Sequence, residues 1–144
     1  MAPHRPDQTA TPPVVEDLLS RIAFDRDGLV VAVAQQHDGA GEVLMVAWMN
    51  REAVRATVAE GQAVYWSRSR MKLWRKGETS GQVQRLVELR IDCDGDALLL
   101  RVDQAGVACH TGRRSCFFTA LGPAGLETIL EVEVDPSRLY ATGA

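Results

Sequence analysis

The sequence predicts an α+β fold, a largely antiparallel β-sheet with a few short helices. Short apolar stretches rich in valine and leucine recur between turn signals along most of the chain. Helical spacing of apolar residues is confined to brief segments. The connections between strand-like segments are mostly turns, which suit antiparallel neighbours and are too short for parallel crossovers.

Residues 1–13 carry Pro3, Pro6, Pro12 and Pro13 among small polar residues and are expected to form a disordered tail. Val15, Leu18, Leu19 and Ile22 then recur at helical spacing and predict a short amphipathic helix before Phe24. Leu29 to Ala34 and Val43 to Trp48, separated by Asp38-Gly39-Ala40-Gly41, read as a hairpin. Asn50 is placed to cap a helix over about 51–60, with Gly61 ending it in a left-handed conformation. Ala63 to Ser67 reads as a strand. The polar, basic stretch from Arg68 to Gly81 reads as a loop or broken strand, the kind of segment that carries function. Val87, Leu89 and Ile91 alternate toward Asp92, and Ala97 to Val102 forms the next strand, closed by the turn Gln104-Ala105-Gly106. Cys116 to Leu121 is expected to pair back as a strand, and Pro123 to about Glu131 to form a final helix with proline in its first turn. One domain over 14–135 and a C-terminal tail over 136–144 complete the expected organisation.

With 144 residues and 46% hydrophobic content, the chain can bury a core without disulfides. A net charge of −3 argues against nucleic-acid or anionic-membrane partners held by bulk electrostatics. No apolar run approaches membrane-spanning length and no signal-peptide pattern opens the chain, so the cytosol is the expected compartment. Three cysteines cannot all pair, and in that compartment they stay reduced.

All three cysteines and a run of alternating carboxylates fall in one short stretch. It reads Asp92-Cys93-Asp94-Gly95-Asp96, then Cys109-His110-Thr111-Gly112, then Ser115-Cys116. Thiolates suit zinc and carboxylates suit magnesium or calcium, so the interleaving points to two metals. If Asp92, Asp94 and Asp96 lie in extended backbone, strand periodicity converges their carboxylates and turns Cys93 to the opposite face. A hard divalent cation such as Mg²⁺ would relieve their repulsion. Cys109 and Cys116 can meet around the Thr111-Gly112 turn. Adding Cys93 gives three protein ligands and an open fourth position, as in catalytic zinc sites. His110 is either a fourth ligand that closes the site or an acid/base group beside it. The plainer readings are buried thiols and a solvated acidic turn.

Val64-Tyr65-Trp66-Ser67-Arg68-Ser69-Arg70, Leu73-Trp74-Arg75-Lys76-Gly77-Glu78-Thr79-Ser80-Gly81, the acidic motif, Ala108-Cys109-His110-Thr111-Gly112 and Ser115-Cys116-Phe117-Phe118 together closely resemble the phosphoribosyl-AMP cyclohydrolase family. With Val43-Leu44-Met45 and Trp48-Met49-Asn50, the likeness spans about residues 24–120. Phe118 departs from the tyrosine of many relatives.

The resemblance implies hydrolytic opening of the adenine ring of 1-(5-phosphoribosyl)-AMP, the third step of L-histidine biosynthesis, by an intertwined homodimer. It implies one Zn²⁺ per subunit, held by Cys109 and Cys116 with Cys93 from the partner subunit, and one Mg²⁺ per subunit on Asp92, Asp94 and Asp96. Some relatives carry a further C-terminal pyrophosphohydrolase domain; this chain is expected to be the monofunctional form. His110 is then the acid/base candidate, with a fixed neighbour or labile ligand as the other reading. Arg68, Arg70, Lys76 and Arg113 are candidates for the two phosphates, against a solvated surface role. Trp66 and Trp74 either stack on the purine or belong to the core, while Ser69 and Glu78 are available to the ribose or base edges. Two other classes compete: a zinc-stabilised non-catalytic interaction module, and a magnesium-dependent phosphoryl-transfer enzyme. A zinc deaminase is disfavoured, because its His-x-Glu and Pro-Cys-x-x-Cys pattern is missing.

Overall fold

The computed structural model describes residues 12–139; residues 1–11 and 140–144, which hold most of the expected N-terminal tail and the chain end, lie outside the described residues. Helix α1 (Pro12–Arg21) buries Val15 and Leu19 in the main hydrophobic core, as the helical spacing requires. Strands β1 (Val30–Gln36) and β2 (Val43–Met49) pair antiparallel from Val30↔Met49, with a register shift between Ala34 and Gln35. Helix α2 (Arg51–Glu60) starts where the Asn50 side chain accepts from the Ala53 N–H at 2.8 Å. It ends at Gly61, whose φ of 71° lets its N–H donate to the Thr57 carbonyl.

Strands β3 (Val64–Ser67) and β4 (Lys72–Arg75) form a short hairpin, so the stretch expected as a loop or broken strand holds an edge strand between two turns. Strands β5 (Gln84–Ile91) and β6 (Ala97–Gln104) form the longest hairpin. The six strands lie in the order β4-β3-β2-β1-β6-β5, antiparallel except for the β1–β6 pair. The sheet curls until the Gly61–Ala63 segment reaches β5. There Gln62 bridges Arg85, the Ala63 N–H donates to the Gln84 carbonyl at 2.9 Å, and the Leu86 N–H donates to the Gly61 carbonyl at 2.8 Å. Leu19, Leu44, Met49, Tyr65, Leu98 and Leu100 fill the enclosed core.

Two expectations near the C-terminus are overturned. Cys116 to Leu121 does not join the main sheet as a strand; β7 (Thr119–Gly122) pairs only with β8 (Gly125–Thr128) in a separate ribbon. The helix expected from Pro123 is absent, because Pro123 and Ala124 form the turn of that ribbon. Proline's fixed φ serves the second position of a tight turn as well as the first turn of a helix, and glycines on both sides favour the turn. Leu121 and Leu126 face each other across it at 81% and 76% exposure, an apolar surface without cover in a single chain. A one-turn helix α3 (Pro136–Leu139) follows, with Leu139 buried.

Inside the curl runs a chain of buried amides. Tyr65 Oη donates to Gln84 Oε1 at 2.6 Å, and Gln84 Nε2 donates to Gln104 Oε1 at 2.8 Å. Gln36 Oε1 accepts from the Gln104 N–H at 3.0 Å and from Arg114 Nη2 at 2.9 Å. Arg114 Nη1 donates to the Gly106 carbonyl, so the network reaches from β3 through β5, β6 and β1 to the loop that carries the cysteines. Among the described residues no buried side-chain polar atom is left without a partner, so these amides specify strand order at little cost in unpaired groups.

Candidate active site

The cysteine loop is built by main-chain bonds. Ala108 and Cys109 N–H groups donate to the Arg114 and Arg113 carbonyls, the Gly112 N–H donates to the Cys109 carbonyl, and the Cys116 N–H donates to the Leu44 carbonyl of β2 at 2.8 Å. Gly112 has φ 85°, and a Cβ there would lie 1.8 Å from the Val134 carbonyl oxygen, so only glycine fits. The fold thereby brings Cys109, buried at 4% exposure, against Cys116. Cys116 is exposed on its outer side. Its thiol, pushed up to about 12 by burial and then by the Coulombic and hydrogen-bond influence of Cys109, is turned toward that neighbour. Thr111 Oγ1 donates to Cys109 Sγ at 3.0 Å.

Lys76 connects this pair to a cleft. Burial holds its ammonium below the ordinary lysine value, while Cys116 and Cys109 pull the other way, so the cation lies within electrostatic reach of both sulfurs. Lys76 also lines a cavity of about 490 Å³ together with Arg70, Trp74, Glu78, Thr79 and Ser80. The cavity sits on the β3–β4 hairpin, whose loop is tightened by the Met71 N–H donating to the Ser67 carbonyl and the Arg70 N–H to Ser67 Oγ. Met71 adopts φ 53°, a left-handed conformation rare outside glycine, at the end of that loop.

The remaining substrate candidates separate. Trp74 lines the cleft with its ring 5.0 Å from Tyr65, whereas Trp66 pairs with Trp48 across β2 and β3 and is not among the cleft-lining residues. Arg68 stacks over Trp48 at 4.7 Å, and Ser69 Oγ lies 3.4 Å from Ser67 Oγ, which itself lines the cleft. Arg113 donates from Nε to the Leu130 carbonyl and lies 4.1 Å over the Phe118 ring. Phenylalanine therefore retains the aromatic face under Arg113. Arg75, also at the cleft, is held by Glu60 through bonds of 2.8 and 2.7 Å, leaving Arg70 and Lys76 as its less committed cations. His110 is exposed on the turn between Cys109 and Thr111.

The acidic motif converges for a different reason than strand alternation. Asp92 to Asp96 is the turn of the β5–β6 hairpin, closed by the Asp92 N–H to the Ala97 carbonyl and the Gly95 N–H to the Asp92 carbonyl. Gly95 has φ 79°, and a Cβ there would strike the Arg21 carbonyl oxygen at 2.3 Å, so the turn also docks on the end of α1. Folding back, rather than a shared strand face, brings ligand oxygens of Asp92, Asp94 and Asp96 within 4.8 Å of one another. Hydrogen bonding to Asp94 and Asp92, with their charges, raises Asp96 to about 6. Partial desolvation opposes ionisation of Asp92, yet hydrogen bonds from Asp96, the Ala97 N–H and Asp94 leave it below the ordinary value.

That raised value has a sign. A carboxyl whose folded pKa lies above its unfolded value of about 3.9 destabilises the fold when ionised, so the penalty develops as pH rises from about 4 through about 6. Asp96→Asn is therefore expected to raise the melting temperature of chelator-treated protein at pH 7 and to leave it nearly unchanged below pH 4. Thermal melts at the two pH values check this.

Cys93 does not join the other two cysteines within one chain. It is exposed on the turn at one end of the β5–β6 hairpin, while Cys109 lies beyond the other end of β6, a strand of eight residues spanning about 25 Å. Among the described residues, the three aspartates are the group of three or more candidate ligands that meets. The donor chemistry fits each implied metal: paired sulfurs beside a compensating cation suit zinc, and converging carboxylates suit a hard cation. Gln36, Gln84 and Gln104 were missed as positioning groups in the sequence. A signal existed for the glutamines, each of which occupies an inward position in a strand whose other inward residues are apolar.

A polar cleft with cations at its wall and paired sulfurs behind one of them suits an enzyme that takes a small anionic substrate. The chain belongs to the phosphoribosyl-AMP cyclohydrolase family. The family model so described matches residues 45–118, which contain both motifs and the cleft. A phosphoribosyl-AMP cyclohydrolase of Rhodospirillum centenum is 62% identical over 92% of this chain and 99% of its own length. Those of Granulibacter bethesdensis and Paramagnetospirillum magneticum are 62% and 63% identical, covering 89% and 85% of this chain and 100% and 92% of theirs.

Proposed function

We propose that the chain is a phosphoribosyl-AMP cyclohydrolase that opens the adenine ring of 1-(5-phosphoribosyl)-AMP at N1–C6 with one Zn²⁺ and one Mg²⁺ per subunit. The product is the formamidine-linked imidazole carboxamide ribonucleotide. The observation that carries the reading is the pairing of Cys109 with Cys116 behind Lys76 at the cleft, within a family shared at about 60% identity. A zinc module without catalysis calls for four protein ligands and a closed site; two sulfurs beside an open polar cleft favour chemistry instead.

Cys109 and Cys116, with Cys93 of the partner subunit, would hold zinc, which would supply Lewis-acid activation of the attacking water. The separation of Cys93 from the other two within one chain supports a homodimer with shared sites, and the bare Leu121–Leu126 surface of the β7–β8 ribbon offers apolar area for such contact. Ribosylation at N1 makes the purine amidinium-like, so C6 accepts attack. His110, exposed beside Cys109, takes the proton from water and delivers it to the departing N1. Arg70 and Lys76 bind phosphate oxygens, Arg68 and Arg113 contribute positive field, and Trp74 offers its face to the base. Trp66 supports the hairpin, while Ser69, Glu78 and Thr79 supply polar contacts to the ribose. Asp92, Asp94 and Asp96 would hold magnesium. Reduced thiols and the absence of a membrane-length apolar helix among the described residues are consistent with a cytosolic site of action.

Incubating the purified protein with phosphoribosyl-AMP, with and without a zinc chelator, tests the reading by loss of purine absorbance. Rapid loss that the chelator abolishes and added Zn²⁺ restores is expected. Equal rates in both arms, or no loss in either, would overturn it.

A further inference from the structure

The hydroxyl of Thr111 is not required by the turn it sits on. The turn is already fixed by the Gly112 N–H on the Cys109 carbonyl, by the Cys109 N–H on the Arg113 carbonyl, and by the Glu133 and Val134 N–H groups on the Gly112 carbonyl. Against that framework the Thr111 side chain is half-buried and directed at a sulfur, with Oγ1 to Sγ at 3.0 Å. A hydroxyl donor at this distance draws charge from a thiolate and fixes which of its lone pairs point elsewhere.

We propose that Thr111 is a positioning residue for the thiolate centre, orienting Cys109 Sγ and reducing its donor strength toward the metal. The proposal rests on the zinc reading above. Three thiolates outweigh the charge of Zn²⁺ by one unit and so weaken its Lewis acidity. A hydroxyl on one sulfur offsets part of that excess, and the buried position of Cys109, at 4% exposure, prevents water from substituting for it. Thr111 acts through Cys109 and does not itself touch the substrate.

Cobalt(II) titrated into the chelator-treated full-length protein reads both geometry and donor strength, through the sulfur-to-cobalt charge-transfer band. Thr111→Val keeps the shape and removes the donor. It is expected to move the band to lower energy because the sulfur electrons are less stabilised, and to bind cobalt about 10-fold or more weakly, the loss of sulfur orientation outweighing the gain in donor strength. Thr111→Ser is expected to restore both band position and affinity. Thr111→Ala serves as the second donorless variant if valine disturbs folding. A Thr111→Val or Thr111→Ala protein with the unaltered band and affinity would overturn the proposal while leaving the metal site intact. So would reduced stability of the metal-free variant with an unchanged band, the signature of a purely structural threonine. Failure of the unsubstituted protein to develop any thiolate band would instead overturn the zinc assignment, and this proposal with it.

Discussion

Cys109→Ser is expected to remove zinc and to lower kcat/KM by roughly a thousand-fold or more. A serine hydroxyl stays protonated near neutrality and is a poor zinc donor, whereas the cysteine site presents sulfur with a lysine cation beside it. Loss of Lewis-acid activation removes several kcal/mol of transition-state stabilisation, and about 4 kcal/mol corresponds to roughly 10³ in rate. The fold is expected to survive, because the loop is held by main-chain bonds to Arg113, Arg114 and Leu44 and not by the sulfur. Zinc content, circular dichroism and steady-state kinetics on one preparation check all three statements. A zinc-free variant that retained near-normal turnover would sink the assignment of the thiols to catalysis.

Mixing two inactive variants is expected to recover activity. Cys93→Ala and Cys109→Ala each disable every site of their own homodimer if the site takes Cys93 from one chain and Cys109 from the other. In a heterodimer of the two, one site carries both lesions and the other carries none. Random reassociation of equal amounts makes half the dimers mixed, so roughly a quarter of the unsubstituted activity should return. Separate recovery of the two homodimers, followed by denaturation and refolding together, provides the measurement. The within-chain separation is the physical ground: Cys93 sits on the β5–β6 turn, and Cys109 lies past the far end of β6. If mixing restores nothing although heterodimers form, the sites are not shared.

Element existence was legible wherever local chemistry and burial agreed. The apolar run of β1, the Asn50 cap and the left-handed Gly61 are local, and each appears as expected. The C-terminal ribbon was misread because proline suits the first turn of a helix and the second position of a tight turn alike. Only pairing across Leu121 and Leu126 distinguishes them. In the site, the motifs were legible as ligand types, while the reason for carboxylate convergence was not. A five-residue turn brings three side chains together as readily as a strand face does, and the docking of Gly95 on the Arg21 carbonyl selected the turn.

The sequence alone determined the residue chemistry: two ligand sets of opposite softness, a basic segment before them, and an α+β pattern with room for a core. Ligand softness, charge and periodicity are properties of residues and near neighbours, so they can be read without coordinates. Tertiary structure decided which of those residues meet. It brought Cys109 to Cys116 and Lys76 to both, committed Arg75 to Glu60, placed Trp74 rather than Trp66 in the cleft, and held Cys93 away from its fellow cysteines. Those outcomes depend on how far the sheet curls and on which buried amides pair between strands distant in sequence, and no local pattern contains that information.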